Sequence, residues 1–269
     1  MEKQIMNVFL DEIKIETINS YIERNLDDFY IKTSKHHNFV SHIENKISWV
    51  LASYADWPDC IFRANFENLD INKEINKVKK LIQKGKAPNS WTVGPMTKPN
   101  NLGSFLVKHG FSNVYQQAGM ALALKNLEQQ EIKTNNLKIE EVVSEETLFQ
   151  WSNIVSKVFS IKVDISLLKF LYIQEEVKFY LGIFGGNYVS TLMMYLSSGV
   201  AGLHAVSTLH EYRGKGLGLS ISKKALIDAF KMGYHIGVLQ ASSFGEGVYR
   251  RLGFQKYNDI ISYALVNEE

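Results

Sequence analysis

Three glycines at alternate positions, Gly214, Gly216 and Gly218, stand in the run HEYRGKGLGLSISKKAL from His210 to Leu226, with Arg213 at their head. A helical sequence follows at once. Glycine has no packing use at a helix entrance, and it loses more conformational freedom on folding than any other residue. What it offers is access. The first backbone N–H groups of a helix have no partners within it and lie at the positive end of its dipole. With no Cβ in the way, an anion such as phosphate can reach them. The dipole alone supplies ~0.3–1 kcal/mol, whereas a micromolar ligand needs ~8 kcal/mol. Several direct N–H bonds and further contacts must carry such binding. The spacing is not the G-x-G-x-x-G of a dinucleotide fold, and the G-x-x-x-x-G-K-[ST] of a P-loop is absent.

The elements around this turn can be read from pattern. A strand is predicted over about Gly202–Thr208 and a helix to about Met232, with Ile221, Ala225, Leu226, Ala229 and Phe230 at helical spacing. Earlier come a strand at Lys138–Val143, helices at Glu145–Phe159 and Ile165–Ile173, and strands at Lys178–Phe184 and Tyr188–Leu196 joined by Gly185-Gly186-Asn187, a hairpin signal. Later come a strand at Ile236–Ala241, a short helix at Gly247–Leu252 and closing strands. The first half shows a helix at Asn72–Gln83 and strands near Ser48–Tyr54, Ile61–Ala64 and Ser90–Val93; the stretch before Asn45 is ambiguous. The polar segment Lys125–Lys138 reads as a linker. The class is α+β.

The halves share a fragment. Aligning Gly110-Phe111 with Gly253-Phe254 places Ala121-Leu122 on Ala264-Leu265 without a gap. Each fragment reads as a helix, a Gly-Phe stop, a strand and a second strand, which points to internal duplication.

Composition bounds the rest. The 269 residues are 45% hydrophobic and 22% charged, an ordinary globular balance. The net charge of +2 is too small to argue for nucleic acid or a membrane surface. No basic region followed by an apolar run opens the chain, and no apolar run is long enough to span a bilayer. The single cysteine, Cys60, excludes an internal disulfide and fits a reducing cytosol. His36, His37 and His42 lack the further ligands of a metal set, so no metal is expected. A cytoplasmic protein is expected, monomer or homodimer, binding neither nucleic acid nor membrane.

The run VSTLHEYRGKGLG resembles the acyl-CoA pyrophosphate loop of the GNAT-type N-acetyltransferases, [Q/R]-x-x-G-x-[G/A]. Downstream, LQASSFGEGVYRRLGF resembles the same superfamily's second motif, a strand and short helix ending in Tyr-x-x-x-Gly-Phe. The resemblance covers about Lys138 to the C-terminus, is closest to the FR47-like branch, and extends over the whole chain to tandem members with a degenerate first copy. It implies two tandem GNAT-like domains, 1–126 and 137–269, each a mixed, mostly antiparallel sheet flanked by helices, with splayed central strands in the second.

The resemblance also implies a chemistry: transfer of an acetyl or short acyl group from acetyl-CoA, or another short acyl-CoA, to a primary amine of a small molecule. Val206, Ser207 and Thr208 would hold the pantetheine arm. Arg213, Gly214, Lys215, Gly216, Leu217, Gly218 and Leu219 would hold the pyrophosphate, with Ser242, or Ser243, giving a further contact. Lys215, Arg250 and Arg251 are also within the range of residue types that meet phosphates. An attacking amine, pKa about 10.4, must lose a proton, and a thiolate leaves faster when protonated. Tyr249 stands where the superfamily's acid usually stands. Many relatives place a glutamate base on the strand at the position of Gly202, which cannot act; His204 shares its face and is the candidate, with Glu246, Tyr195 or a water chain as alternatives. The first copy lacks the loop and has Leu106 at the position of Tyr249, so it is expected to bind no CoA and to wall the acceptor pocket, with NSWTVGP and YADWP supplying aromatics. A protein or peptide amine as acceptor, or an acyl-CoA-binding sensor without turnover, are the alternative readings.

Overall fold

Side chains cap most helices of the second half, as their sequences require. Ser144 and Thr147 form a capping box at Glu145–Phe159 (α4), Asp164 caps Ile165–Tyr172 (α5), and Ser242 caps Ser243–Arg251 (α7). The helix Leu217–Lys231 (α6) is different. Its N-cap is Gly216, and no side chain caps it. The computed structural model describes residues 13–127 and 136–266; the middle of the expected linker lies outside them.

The first half holds α1 (Ile15–Thr33), β1 (Phe39–Ile43), β2 (Ser48–Ala52), β3 (Cys60–Phe62), α2 (Ile71–Gln83), β4 (Trp91–Val93), α3 (Leu102–Lys108) and β5 (Phe111–Ala123). The second holds β6 (Leu137–Glu141), β7 (Val177–Phe184), β8 (Asn187–Ser197), β9 (Val200–Thr208), β10 (Ile236–Ala241) and β11 (Gln255–Leu265), with α4 to α7 between them. Among the described residues all eleven strands join one sheet in the order β1-β2-β3-β4-β11-β5-β10-β9-β8-β7-β6.

That order corrects one expectation. Each Gly-Phe stop is followed by a single long strand, not by two. The missing second strand of each half is supplied by the other half: β5 lies between β10 and β11, and β11 lies between β4 and β5. Both are antiparallel to their neighbours. The β5–β11 register carries the signature of duplication. Ser112 pairs with Ala264 and Ala121 with Gln255, and a shift of 143 positions turns one pair into the other. The ladder skips Val114 on one strand and Tyr257 on the other, positions again 143 apart.

The likeness runs outward from there. In the second half β5 pairs with β10 (Met120–Leu239) and β10 with β9 (Leu239–Leu203). In the first, β11 pairs with β4 (Tyr263–Trp91) and β4 with β3 (Trp91–Ile61). Ile61 thus corresponds to Leu203, Cys60 to Gly202, and Arg63 to Ala205. Arg63 and Ala205 both have positive φ, 55° and 49°.

Strand alternation sorts the central residues onto two faces. Met120, Leu122, Leu239 and Ala241 pack with Ile221, Leu226 and Tyr249 of α6 and α7. Ala121, Ala123, Val238 and Ile260 pack under Ile18 and Ile22 of α1. A third core mixes the halves outright, joining Phe29, Val50 and Phe62 to Trp151, Leu168, Phe179 and Met193. Helix α1 packs against β2 and also against β5, β8, β9, β10 and β11.

Because β5 fills the slot between β10 and β11, a fragment of residues 137–269 expressed alone should not fold cooperatively, and co-expression with residues 1–126 should restore a folded pair. Circular dichroism melts check this; a sharp two-state transition for 137–269 alone would refute the exchange.

Candidate functional site

Strands β9 and β10 run parallel for three pairs only, Ala201–Gly237 to Leu203–Leu239. Beyond Leu203, β9 continues to Thr208 against β8, while β10 continues to Ala241 against β5. The strands diverge at a bulge: His204 pairs with Met193 and Ser207 with Thr191, so two residues of β9, one of them the positive-φ Ala205, face one of β8. The result is an unpaired strand edge inside a sheet, a place that otherwise invites another strand.

The glycine turn stands beside this gap. Gly214 and Gly216 have φ of 77° and 78°, a left-handed backbone that side chains rarely adopt. The Ser220 N–H closes the first helical bond on the Gly216 carbonyl at 3.0 Å, so the N–H groups of Leu217, Gly218 and Leu219 have no acceptor within the helix. A Cβ added at Gly214 or Gly216 would meet nothing within 4 Å, whereas one at Gly218 would lie 3.9 Å from Thr208 Oγ1. The first two glycines face open space, and the third brings the helix entrance against the end of β9. Arg213 ties the turn down, its Nε donating to the Thr208 carbonyl at 3.2 Å. Lys215 rests its ammonium over Phe184 and Tyr212, 5.2 and 5.0 Å from the ring centres. Arg250 is held by Glu246 at 2.6 Å.

The other expected residues divide by environment. Val206 packs on the α6–α7 core. Ser207 is buried, its hydroxyl 2.6 Å from that of Thr191, which donates to the Ala205 carbonyl. These bonds hold the bulge open. The Ser242 hydroxyl accepts from Gly245 N–H at 3.2 Å, so its first duty is to cap α7. Tyr249 is buried, edge-on to Phe254 at 5.8 Å. Burial raises its phenol well above the ordinary value, while the nearby buried Ser222 hydroxyl acts the other way. Tyr249 therefore keeps its proton at any working pH.

His204 is also buried. Its Nε2 lies 2.9 Å from Asn25 Oδ1, and its ring stacks on Phe29, which stacks on Trp57. Burial lowers its pKa to about 4, so it is neutral. A Cβ at Gly202 would overlap the Asn25 amide. The space beside Gly202 is thus occupied by an amide from α1. Asn25 went unnoticed in the sequence, because no local motif marks a helix whose partner lies about 180 residues away. Of the YADWP aromatics, Trp57 reaches the second half; Tyr54 is exposed, and Trp91 of NSWTVGP is core. The alternative bases are engaged: the Tyr195 hydroxyl donates to the Asp28 carbonyl at 3.3 Å, and Glu246 holds Arg250.

A cleft of about 600 Å³ opens past the end of β10, lined by Tyr115, Gln116, Ala241, Ser243, Glu246 and Asp259. Both halves build it.

The corresponding gap of the first half is filled. Strands β3 and β4 share one pair, Ile61–Trp91. Past it, the Glu23 carboxylate of α1 accepts from Met96 N–H at 2.7 Å, and a Cβ at Gly94 would lie 2.7 Å from that carboxyl. Asp27 lies 3.5 Å from Arg63 Nε. Leu106 is core. Cys60 is buried 2.9 Å from Thr92 Oγ1, and burial pushes its thiol up to about 11, which makes it a poor nucleophile. His42 stacks on Trp49, and among the described residues no group of three or more His, Cys, Asp or Glu could hold a metal. No helix among them is long and apolar enough to cross a membrane.

No protein-family model matches the chain, and no curated protein matches it. Solved structures do. A GCN5-related N-acetyltransferase from Kribbella flavida is 18% identical with a TM-score of 0.70, over 95% of this chain and 96% of that one. A GCN5-related N-acetyltransferase from Sphaerobacter thermophilus is 15% identical with a TM-score of 0.58, over 82% and 81%. A tandem GNAT protein from the clavulanic acid biosynthesis pathway is 11% identical with a TM-score of 0.56, over 83% and 79%. The chain has the fold of the GCN5-related N-acetyltransferases, shared across both of its halves.

Burial raises Glu23 from 4.5 to about 7. Between those values the folded state holds a proton that the unfolded chain has released, so stability falls as pH rises from 4.5 toward 7. Glu23→Gln keeps an acceptor for Met96 and removes this slope. Its melting temperature should match the parent near pH 5 and exceed it by several degrees at pH 8; equal melting temperatures at both would refute the buried, protonated carboxyl.

Proposed function

We propose that this protein moves an acetyl or other short acyl group from acyl-CoA to the primary amine of a small molecule. One observation carries the reading: the unpaired edge of β9 adjoins a helix entrance whose glycines leave its N–H groups exposed. A strand gap alone would serve a peptide, and a glycine turn alone would serve any phosphate. Side by side they fit a ligand with an amide-bearing arm and a pyrophosphate. The backbone of Val206 to Thr208 would receive the arm, and the N–H groups of Gly214 to Leu219 the pyrophosphate.

Acyl-CoA would supply a thioester carbonyl for direct attack by the amine, both being bound at once. The chain supplies the rest. Tyr249, protonated throughout, offers a proton to the leaving sulfur. His204, neutral throughout, offers a lone pair for the amine's proton, which grows acidic as nitrogen bonds to carbon. The bulge held by Thr191 and Ser207 keeps the gap open. In this reading residues 137–269 carry the chemistry, and residues 1–126 are a degenerate copy that lends β5, α1 and Trp57. The single buried thiol suits a cytoplasmic setting. A second reading, acyl-CoA binding without turnover, is favoured by the same burial of His204 and by the glycine at position 202.

Thermal stabilisation by acetyl-CoA, beside CoA, NAD and ATP, tests the binding. A ligand at 100 times its Kd adds ~2.7 kcal/mol. Acetyl-CoA and CoA should raise the melting temperature and the nucleotides should not. Gly216→Glu, which places bulk and charge at the cradle, should abolish the shift; a persistent shift would remove the turn from the site. Tyr249→Phe should keep the shift and slow amine-dependent thiol release by ~10²-fold. Full activity in that variant would end the acid role, and binding without thiol release for any amine would favour the second reading.

A further inference from the structure

His204 has two ring nitrogens, and only an unprotonated one can accept a proton. Which one that is depends on the hydrogen bond the other makes. Asn25 settles the matter. Its Nδ2 lies 3.0 Å from the Tyr195 carbonyl and 3.0 Å from Ser197 Oγ. A carbonyl only accepts, so the Asn25 group facing it must be the NH₂. The amide therefore cannot be turned round, and the group 2.9 Å from His204 Nε2 is its oxygen. Opposite an acceptor, Nε2 must carry the hydrogen. The lone pair is then on Nδ1.

We infer that Asn25, a residue of the first half, is the positioning residue that makes His204 of the second half a proton acceptor through Nδ1. The inference rests on the base role proposed above for His204. Four features of the structure converge on it. Asn25 is wholly buried, where an amide must have its bonds satisfied. Its three bonds all go to β8 and β9, and β9 borders the gap. Gly202 leaves the room that the amide fills. Phe29, one turn along α1, stacks on the His204 ring at 5.4 Å and fixes its plane.

An aspartate in place of Asn25 would hold the ring as a cation, unable to accept. The neutral amide orients it without charging it. The carboxylates of α1 near Asn25 are engaged elsewhere: Glu23 with Met96, Asp27 with Arg63, and Asp28 with Ser198. On β8, Tyr195 points its hydroxyl at the Asp28 backbone. No charge among these faces the imidazole.

Nitrogen-15 NMR of the whole protein labelled at histidine reads the tautomer directly. His204 should show hydrogen on Nε2 and none on Nδ1 from pH 6 to pH 9; hydrogen on Nδ1 would overturn the inference. Asn25→Ala should give mixed tautomers. Asn25→Ala should also lower kcat by ~10-fold or more, with KM for acetyl-CoA unchanged. Asn25→Asp should move the acid limb of the pH–rate profile up by at least one pH unit; a profile identical to the parent would overturn the positioning role. His204→Ala with an unchanged kcat would sink the base reading itself, whereas a wrong tautomer sinks only Asn25's part.

Discussion

The ladder between β5 and β11 is the interaction on which the rest of the molecule depends. Each strand closes its own half and also completes the other's sheet. One whole edge of β10, out to Ala241 where it has left β9, is held by β5, a strand encoded in the first half. The sheet is therefore one cooperative object. The paired bulges at Val114 and Tyr257 add twist on either side of the local two-fold, and so bend the two halves about the same centre.

Helix α1 works at that centre from the other face. Ile18 and Ile22 supply its apolar contacts to the middle strands, and Phe29 supplies those to the mixed core. Its other fully buried residues are polar. Burying an amide or carboxyl is costly unless it finds partners, and here each finds a different one: Asn25 among β8 and β9, Glu23 in the loop after β4, Asp27 beside Arg63. The two copies thereby treat their matching gaps in opposite ways. One gap is closed by carboxyl side chains. The other is kept open, with a single amide beside it. The position of Cys60 in the first copy and Gly202 in the second marks the same divergence, a buried thiol against a vacancy for a neighbour's side chain.

Much of this was legible in the sequence, and the illegible parts share a cause. The glycine turn, its helix, the hairpin at Gly185-Gly186 and the strands of the second half follow from local chemistry: φ sign, caps and period. The short helix opens earlier than expected, at Ser243, because Ser242 caps it. The repeat at Gly110 and Gly253 was visible, yet strand exchange was not. Pairing partners 134 to 154 residues apart leave no local trace, and a strand that crosses to the other half reads the same as one that stays. Helix α1 escaped notice because its buried face includes Glu23, Asn25 and Asp27, which breaks the apolar stripe that announces a helix. Asn25 was hidden for the same reason.

The strand exchange also bears on how the chain is made. Synthesis runs from the N-terminus, and β5 leaves the ribosome more than a hundred residues before β10 and β11 exist. At ordinary elongation speed that is on the order of ten seconds. For all that time a thirteen-residue strand, whose inner half is apolar on both faces, has two open edges. Two nascent chains on one message hold such strands close together, and the β11 of one fits the β5 of the other as well as its own. The same symmetry that joins two copies into one sheet thus gives every chain a second legitimate partner, its neighbour.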